Sequence, residues 1–143
     1  MNLSEHFTLS ELMVSDWAAR NGVDNTPPDA IIENLKKTAQ VLEQVRSLLG
    51  FPIHVNSGYR SGKVNAAIGG KPTSLHCQGL AADITCSGYG SPFDVCEAIA
   101  ASHIEYDKLI YEFGSWVHIQ IGKENRRQSF TINSHGTFTG FHK

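Results

Sequence analysis

Apolar residues recur along this chain with two different periods, and the change from one to the other divides it. From Asp29 to Leu49, the residues Ile31, Ile32, Leu35, Ala39, Leu42, Val45 and Leu49 return at helical spacing. This predicts the longest helix, closed by Gly50. Upstream, Thr8-Leu9-Ser10-Glu11 is a capping-box pattern, predicting a helix from about Leu9 to Ala19 that ends before Asn21-Gly22. Asp24-Asn25-Thr26-Pro27-Pro28 is a turn whose last proline suits a first helical turn. Beyond Gly50 the period shortens toward two. Phe51 to Ser57 alternates and is rich in β-branched residues, hence a strand, followed by a turn at Gly58-Tyr59-Arg60-Ser61-Gly62. Val64 to Ile68 supports at most a short helix, and Gly69 to Ser74 is a loop that delivers His76. Leu80 to Thr85 reads as a buried strand and Pro92 to about Ser102 as a helix. Lys108 to Phe113 and Trp116 to Ile121 read as strands joined at Gly114-Ser115, and Ser129 to Ile132 as a short edge strand.

The expected architecture is α+β: N-terminal helices packed on a mostly antiparallel sheet in the C-terminal half. The 143 residues suit a single domain spanning 1–143, with the tail from about Asn133 lacking a clear period and expected to be partly mobile. Neither an internal repeat nor a low-complexity segment interrupts it.

Composition narrows the partners. Hydrophobic residues make up 41% and charged residues 18%, ordinary values for a globular domain. A formal charge of −2, with seven histidines counted neutral, supplies no basic field for nucleic acid or an acidic membrane surface. Membrane insertion is not expected either, since no stretch approaches the roughly 18 consecutive apolar residues of a span. Met1-Asn2-Leu3-Ser4-Glu5-His6 lacks the basic start and apolar core of a secretory signal, so synthesis in the cytoplasm is expected. Three cysteines, Cys77, Cys86 and Cys96, cannot all pair within one chain, which favours free thiols. Cys77 beside His76 is either a small buried apolar residue or a metal ligand.

Asp83 is the single charged residue in the apolar run Leu80-Ala81-Ala82-Asp83-Ile84. An ionised carboxylate there costs several kcal/mol unless a cation or hydrogen-bond donors compensate it. A divalent metal does so; a turn cap or a pair with Arg60 is the alternative. His118 lies between Val117 and Ile119, where a neutral hydrogen-bonded imidazole is the bland reading, and His76 alone is equally at home in a loop. Together His76, Asp83 and His118 compose a set of three zinc ligands, the number that catalytic zinc sites use while keeping a fourth position open. Two neutral imidazoles and one carboxylate leave a site with net charge +1, suited to polarising a carbonyl.

Hydrolysis at a metal also needs a general base. Glu112 and His118 flank the turn at Gly114-Ser115. A three-residue loop centred on Ser115 puts position 112 directly opposite 118 and on the same face. The alternative is an exposed glutamate in a rim salt bridge. Arg60, at the end of the first strand, is either a surface arginine or a planar fork for a substrate carboxylate, carbonyl or oxyanion.

Ser74-x-His76-x-x-Gly79-x-Ala81-x-Asp83 with Trp116-Val117-His118-Ile119 resembles the zinc D-Ala-D-Ala carboxypeptidase family, whose relatives include bacteriophage L-alanyl-D-glutamate endopeptidases and the Hedgehog signalling domain. Glu5 to Leu12, Asp24 to Pro28, Ser57 to Ser61 and Val64 to Gly70 look like the phage branch, so the likeness covers roughly Leu3 to Gly122. The resemblance implies that His76, Asp83 and His118 ligate Zn2+ and that Arg60 contacts substrate or the tetrahedral intermediate. Many members carry the acidic base three positions before the last histidine, which here is Ser115; the Hedgehog branch carries a glutamate six before it, matching Glu112. Trp116 then walls the cleft, or is a purely structural aromatic. The implied function is a monomeric zinc peptidase acting on peptidoglycan stem peptides, as a D-Ala-D-Ala carboxypeptidase or an endolysin-type endopeptidase. It would reach the cell wall after holin release or as a virion component. A zinc-containing, non-catalytic binding module of the same fold is the alternative. The loop Gly88-Tyr89-Gly90 and the segment Lys123 to Arg127 are expected to shape the pocket.

Overall fold

A computed structural model describes residues 1–122 and 124–143. Thr8 caps the first helix, α1 (Leu9–Leu12), through a complete capping box with Glu11. The helix expected to run on to Ala19 stops there instead. Ser15 takes an extended conformation, accepts from Ala18 N–H and starts a separate helix, α2 (Asp16–Asn21), which Gly22 closes with a left-handed φ of 63°. The long helix α3 (Asp29–Leu49) is as the periodicity predicts, with Gly50 as its left-handed terminator.

The sheet begins with β1 (His54–Ser57) and, after α4 (Gly62–Ala67) and a 3-10 turn at Leu75–Gln78, continues with β2 (Ala81–Thr85). Helix α5 (Pro92–Ala101) leads to β3 (Lys108–Glu112), β4 (Trp116–Gln120), β5 (Gln128–Asn133) and β6 (Gly136–Thr139). The strand order is β1-β2-β4-β3-β5-β6. All neighbours are antiparallel except β3 and β5, which run parallel. One expectation changes at this edge. β5 lies inside the sheet, because the tail forms β6 and pairs with it from Phe130↔Thr139 to Asn133↔Gly136. The alternating Gly136-Thr137-Phe138-Thr139 is too short for a period to be read, and only pairing with β5 defines it.

Alternation along the strands separates two faces. Val55, Ala82, Ile84, Leu109, Val117 and Ile119 point into the core. They pack with Leu35, Ala39, Leu42, Val45 and Leu49 from α3 and Val95, Cys96 and Ile99 from α5. Burying each such Leu, Ile or Val side chain contributes about 1.5–3 kcal/mol. The residues between them, including Asp83, Glu112, Trp116 and His118, therefore project from the opposite face. The helical layer thus supports one side of the sheet and leaves the polar side open. Cys77, Cys86 and Cys96 are all free thiols, the last two buried. No helix among the described residues is long and apolar enough to cross a membrane.

Candidate metal centre

Three segments deliver the candidate ligands. Ser74 caps the 3-10 turn that carries His76. β2 carries Asp83, and β4 places His118 directly opposite it. One donor atom from each of His76, Asp83 and His118 lies within 4.8 Å of the others, and all three residues are buried. His76 Nε2 is 3.3 Å from Asp83 Oδ1, and His118 Nδ1 is 2.9 Å from the same oxygen.

The far side of each ligand is held in place. His76 Nδ1–H donates to the Gly58 carbonyl at 2.7 Å, which leaves Nε2 facing Asp83. Gln120 Oε1 lies 3.1 Å from His118 Nε2 and accepts its proton, which leaves Nδ1 facing Asp83. Arg60 Nη2 donates to Asp83 Oδ2 at 3.3 Å. This is the arrangement of outer partners that orients metal-binding imidazoles and carboxylates. Zinc takes nitrogen at about 2.0–2.1 Å and carboxylate oxygen at about 2.0–2.2 Å, so two donors on one tetrahedral ion sit about 3.4 Å apart. The 3.3 Å between His76 and Asp83 fits that spacing, and the 2.9 Å to His118 needs only a small opening. The donor set therefore fits a zinc ion. Cys77 is not one of the clustered residues.

Electrostatics agree with the geometry. Burial pushes the Asp83 carboxyl up, but hydrogen bonds from His118 and His76 outweigh it and hold the group well below the usual carboxylate range. Burial pulls the His118 imidazole down, and the Asp83 contact more than reverses this, leaving it raised.

Glu112 approaches the cluster differently from the expected register. The hairpin is centred on Gly114, not Ser115: Glu112 pairs with Trp116, and Ile110 lies opposite His118. Phe113 and Gly114 both have positive φ, 53° and 65°, and Ser115 N–H closes the turn on Glu112 O at 2.9 Å. Glu112 and His118 are thus diagonal neighbours, still on one face. Glu112 Oε1 lies 3.8 Å from His118 Nδ1, and Trp116 Nε1 donates to Oε2 at 3.1 Å. Burial raises the Glu112 carboxyl, and His118, Trp116 and Arg60 only partly offset that. Ser115 sits at the hairpin tip, its hydroxyl on Phe113 O.

Arg60 reaches the site because β1 carries a bulge: Val55 pairs with Ile84 but Ser57 with Asp83, leaving Asn56 as the extra residue. Its guanidinium is fixed by Ser57 Oγ at 3.1 Å as well as by Asp83. Asp83 faces both imidazoles and also pairs with Arg60. Asn25 braces the same turn, donating to Tyr59 O and accepting from Ser61 N–H.

Asp83, Arg60 and Trp116 lie where two depressions meet, one of about 620 Å³ holding His76, Glu112 and His118, the other of about 340 Å³ running past Trp17 and Arg20. Trp116 lines both depressions. The Gly88-Tyr89-Gly90 loop lines neither; Gly88 abuts the Phe51 ring instead. Glu124 and Arg126 border a separate hollow with Asp107, and Lys123 lies outside the described residues. Sequence reasoning missed Gln120, Asn25 and the Gly58 carbonyl. Gln120 had a signal, standing one pleat beyond His118 and so on the same face; the other two act through local turns that carry no period.

The family model described as Peptidase M15 matches residues 5–120, an interval that includes every residue of the cluster and Glu112, Arg60 and Trp116. No curated protein matches the chain.

Proposed function

The chain belongs to the M15 peptidase family, whose members depend on zinc, and we propose that it hydrolyses peptide bonds in the stem peptides of bacterial peptidoglycan. The observation that carries this reading is the convergence of His76 Nε2, Asp83 Oδ1 and His118 Nδ1 at the floor of an open cleft, with the Glu112 carboxylate beside them. Those three side chains would hold the zinc ion, which when bound polarises the scissile carbonyl and acidifies water.

The protein's own groups do the rest. Glu112, raised by burial toward the working range of a general base, takes a proton from the attacking water. It then delivers that proton to the leaving amine, so that water and peptide become one acid and one amine. Trp116 Nε1–H keeps one carboxylate oxygen fixed while the other faces the cluster. Arg60, anchored on Ser57, Asp83 and Asn65, lines the cleft, where its guanidinium orients the substrate and stabilises the developing oxyanion. A free thiol plays no part. On this reading the protein acts as a monomer at the cell wall, as an endolysin or virion-borne lysin.

Digestion of purified muropeptides by the zinc-loaded protein, followed by mass spectrometry, tests the reading. Loss of a terminal D-alanine identifies a carboxypeptidase, and a cut between L-alanine and D-glutamate identifies an endopeptidase. Peptides that bind without being cut identify a non-catalytic module and overturn the proposal.

A further inference from the structure

Beyond the candidate ligands, a run of polar side chains leaves the cluster and crosses the sheet. Gln120 offers Oε1 to His118 Nε2 at 3.1 Å and donates from Nε2 to Asp107 Oδ2 at 3.3 Å. Asp107, only 5% exposed, receives Arg126 through two bonds, Nε to Oδ1 at 2.7 Å and Nη2 to Oδ2 at 2.8 Å. We propose that Arg126, Asp107 and Gln120 form a one-way hydrogen-bond chain that fixes which nitrogen of His118 faces the cation site.

The argument is one of donor and acceptor polarity. A guanidinium can only donate and an ionised carboxylate can only accept, so the two ends of this chain have no choice. A glutamine side chain has one end of each kind. With Asp107 accepting, Gln120 must turn its NH2 toward Asp107 and its oxygen toward His118. That oxygen can only accept, so His118 must carry a proton on Nε2, which makes Nδ1 the nitrogen left to face Asp83 and the ion. Imidazole tautomers differ by one proton shift, and in metal sites the partner of the second nitrogen decides between them. Here the decision is made two residues away, by an ion pair that touches no ligand. Gln120 acts as a positioning residue, and Asp107 with Arg126 sets its direction.

Asn at position 107 removes the constraint. Its oxygen would turn to Arg126 and its NH2 to Gln120, so Gln120 would flip and offer N–H to His118 Nε2. The imidazole would then place its proton on Nδ1, toward the ion.

This inference rests on the reading that the cluster binds zinc, and one experiment separates the two. The zinc dissociation constant is measured on the full chain by competition with a chromophoric chelator, using Zn2+ alone, for wild type, Gln120→Met, Asp107→Asn and the double variant. The melting temperature of each zinc-free protein is recorded alongside. Wild type is expected to bind one zinc, Gln120→Met to bind about 10–100-fold more weakly, and Asp107→Asn about tenfold more weakly. Asp107→Asn should add nothing once Gln120 is Met, because its effect passes through that side chain. A merely structural salt bridge would lower the melting temperature of Asp107→Asn and leave the zinc constant within twofold, which overturns the proposal. So does an Asp107→Asn effect of equal size in both backgrounds. Should Gln120→Met fail to fold, the Asp107→Asn constant alone decides. A wild-type protein that binds no zinc overturns this inference and the metal reading together.

Discussion

Glu112 Oε1 lies 3.8 Å from His118 Nδ1, close enough for charge to couple them and too far for a direct hydrogen bond. A base placed this close to a metal-facing nitrogen stands directly beside the cation site. It also carries a cost. Burial holds the Glu112 carboxyl above the usual range, so the folded protein binds this proton more tightly than the unfolded chain does. In the zinc-free protein the group therefore opposes folding at neutral pH, and that opposition fades as pH falls through its raised value.

Glu112→Gln should lower kcat on muropeptides by about 10²–10⁴-fold, the range for loss of a general base, while leaving zinc stoichiometry unchanged. The same variant, freed of zinc, should melt at a higher temperature than wild type at pH 7, and the gap should close in acid. Equal activity with full zinc occupancy would remove Glu112 from the role of base.

Glu43 makes the opposite kind of contribution. Its carboxylate, on α3, accepts from Ser4 Oγ–H and His6 N–H, both at 2.6 Å, and faces His6 Nδ1 at 2.7 Å. Burial raises this carboxyl, but the bonds from Ser4 and His6 prevail and lower it. A lowered acid contributes stability that is present above its unfolded value, about pH 4, and is lost as pH falls through the folded value. Glu43→Gln should therefore lower the melting temperature at pH 7 and converge with wild type once the pH has fallen below the lowered value. A constant offset across that range would contradict the assignment.

Much of this arrangement could be read from residue order alone, and the reasons differ by element. The core side of α3 was plain because five buried aliphatics repeat over 21 residues. Asp83 and His118 stood out because a charged or imidazole group inside an apolar strand demands a partner. The break between α1 and α2 was hidden, since Ser15 caps a helix only if the chain bends there, and Met13-Val14 gives no turn signal. The hairpin centre was displaced by one residue because Phe113 adopts a left-handed φ of 53°, a conformation that costs a non-glycine residue roughly 1–2 kcal/mol and that its side chain does not announce. Glu112 still reached the correct face, because either odd-length loop gives it the same parity as His118. The polar chain from His118 to Arg126 depends on pairings between β3, β4 and the loop before β5, which no local pattern specifies.

Gly58 joins fold and site. A Cβ there would collide with the backbone of Leu12, and its carbonyl orients His76. Gly58→Ala should destabilise the protein by about 1–3 kcal/mol and weaken zinc binding by about 10-fold. Calorimetry and chelator competition on the same sample check both, and a loss of stability with unchanged zinc affinity would separate the two roles.

Chelation offers a further check. Zinc held at 100 times its dissociation constant should stabilise the fold by about 2.7 kcal/mol, or about 5–10 °C in melting temperature for a chain of this size. Asp83→Ala should abolish that shift, leaving zinc-loaded and zinc-free samples to melt together.

The most direct measurement is anomalous diffraction at the zinc edge from crystals of the zinc-loaded protein. One ion should appear, at about 2.0–2.1 Å from His76 Nε2 and His118 Nδ1 and about 2.0–2.2 Å from Asp83 Oδ1. A zinc signal elsewhere, with these three side chains still hydrogen-bonded to one another, would contradict the account.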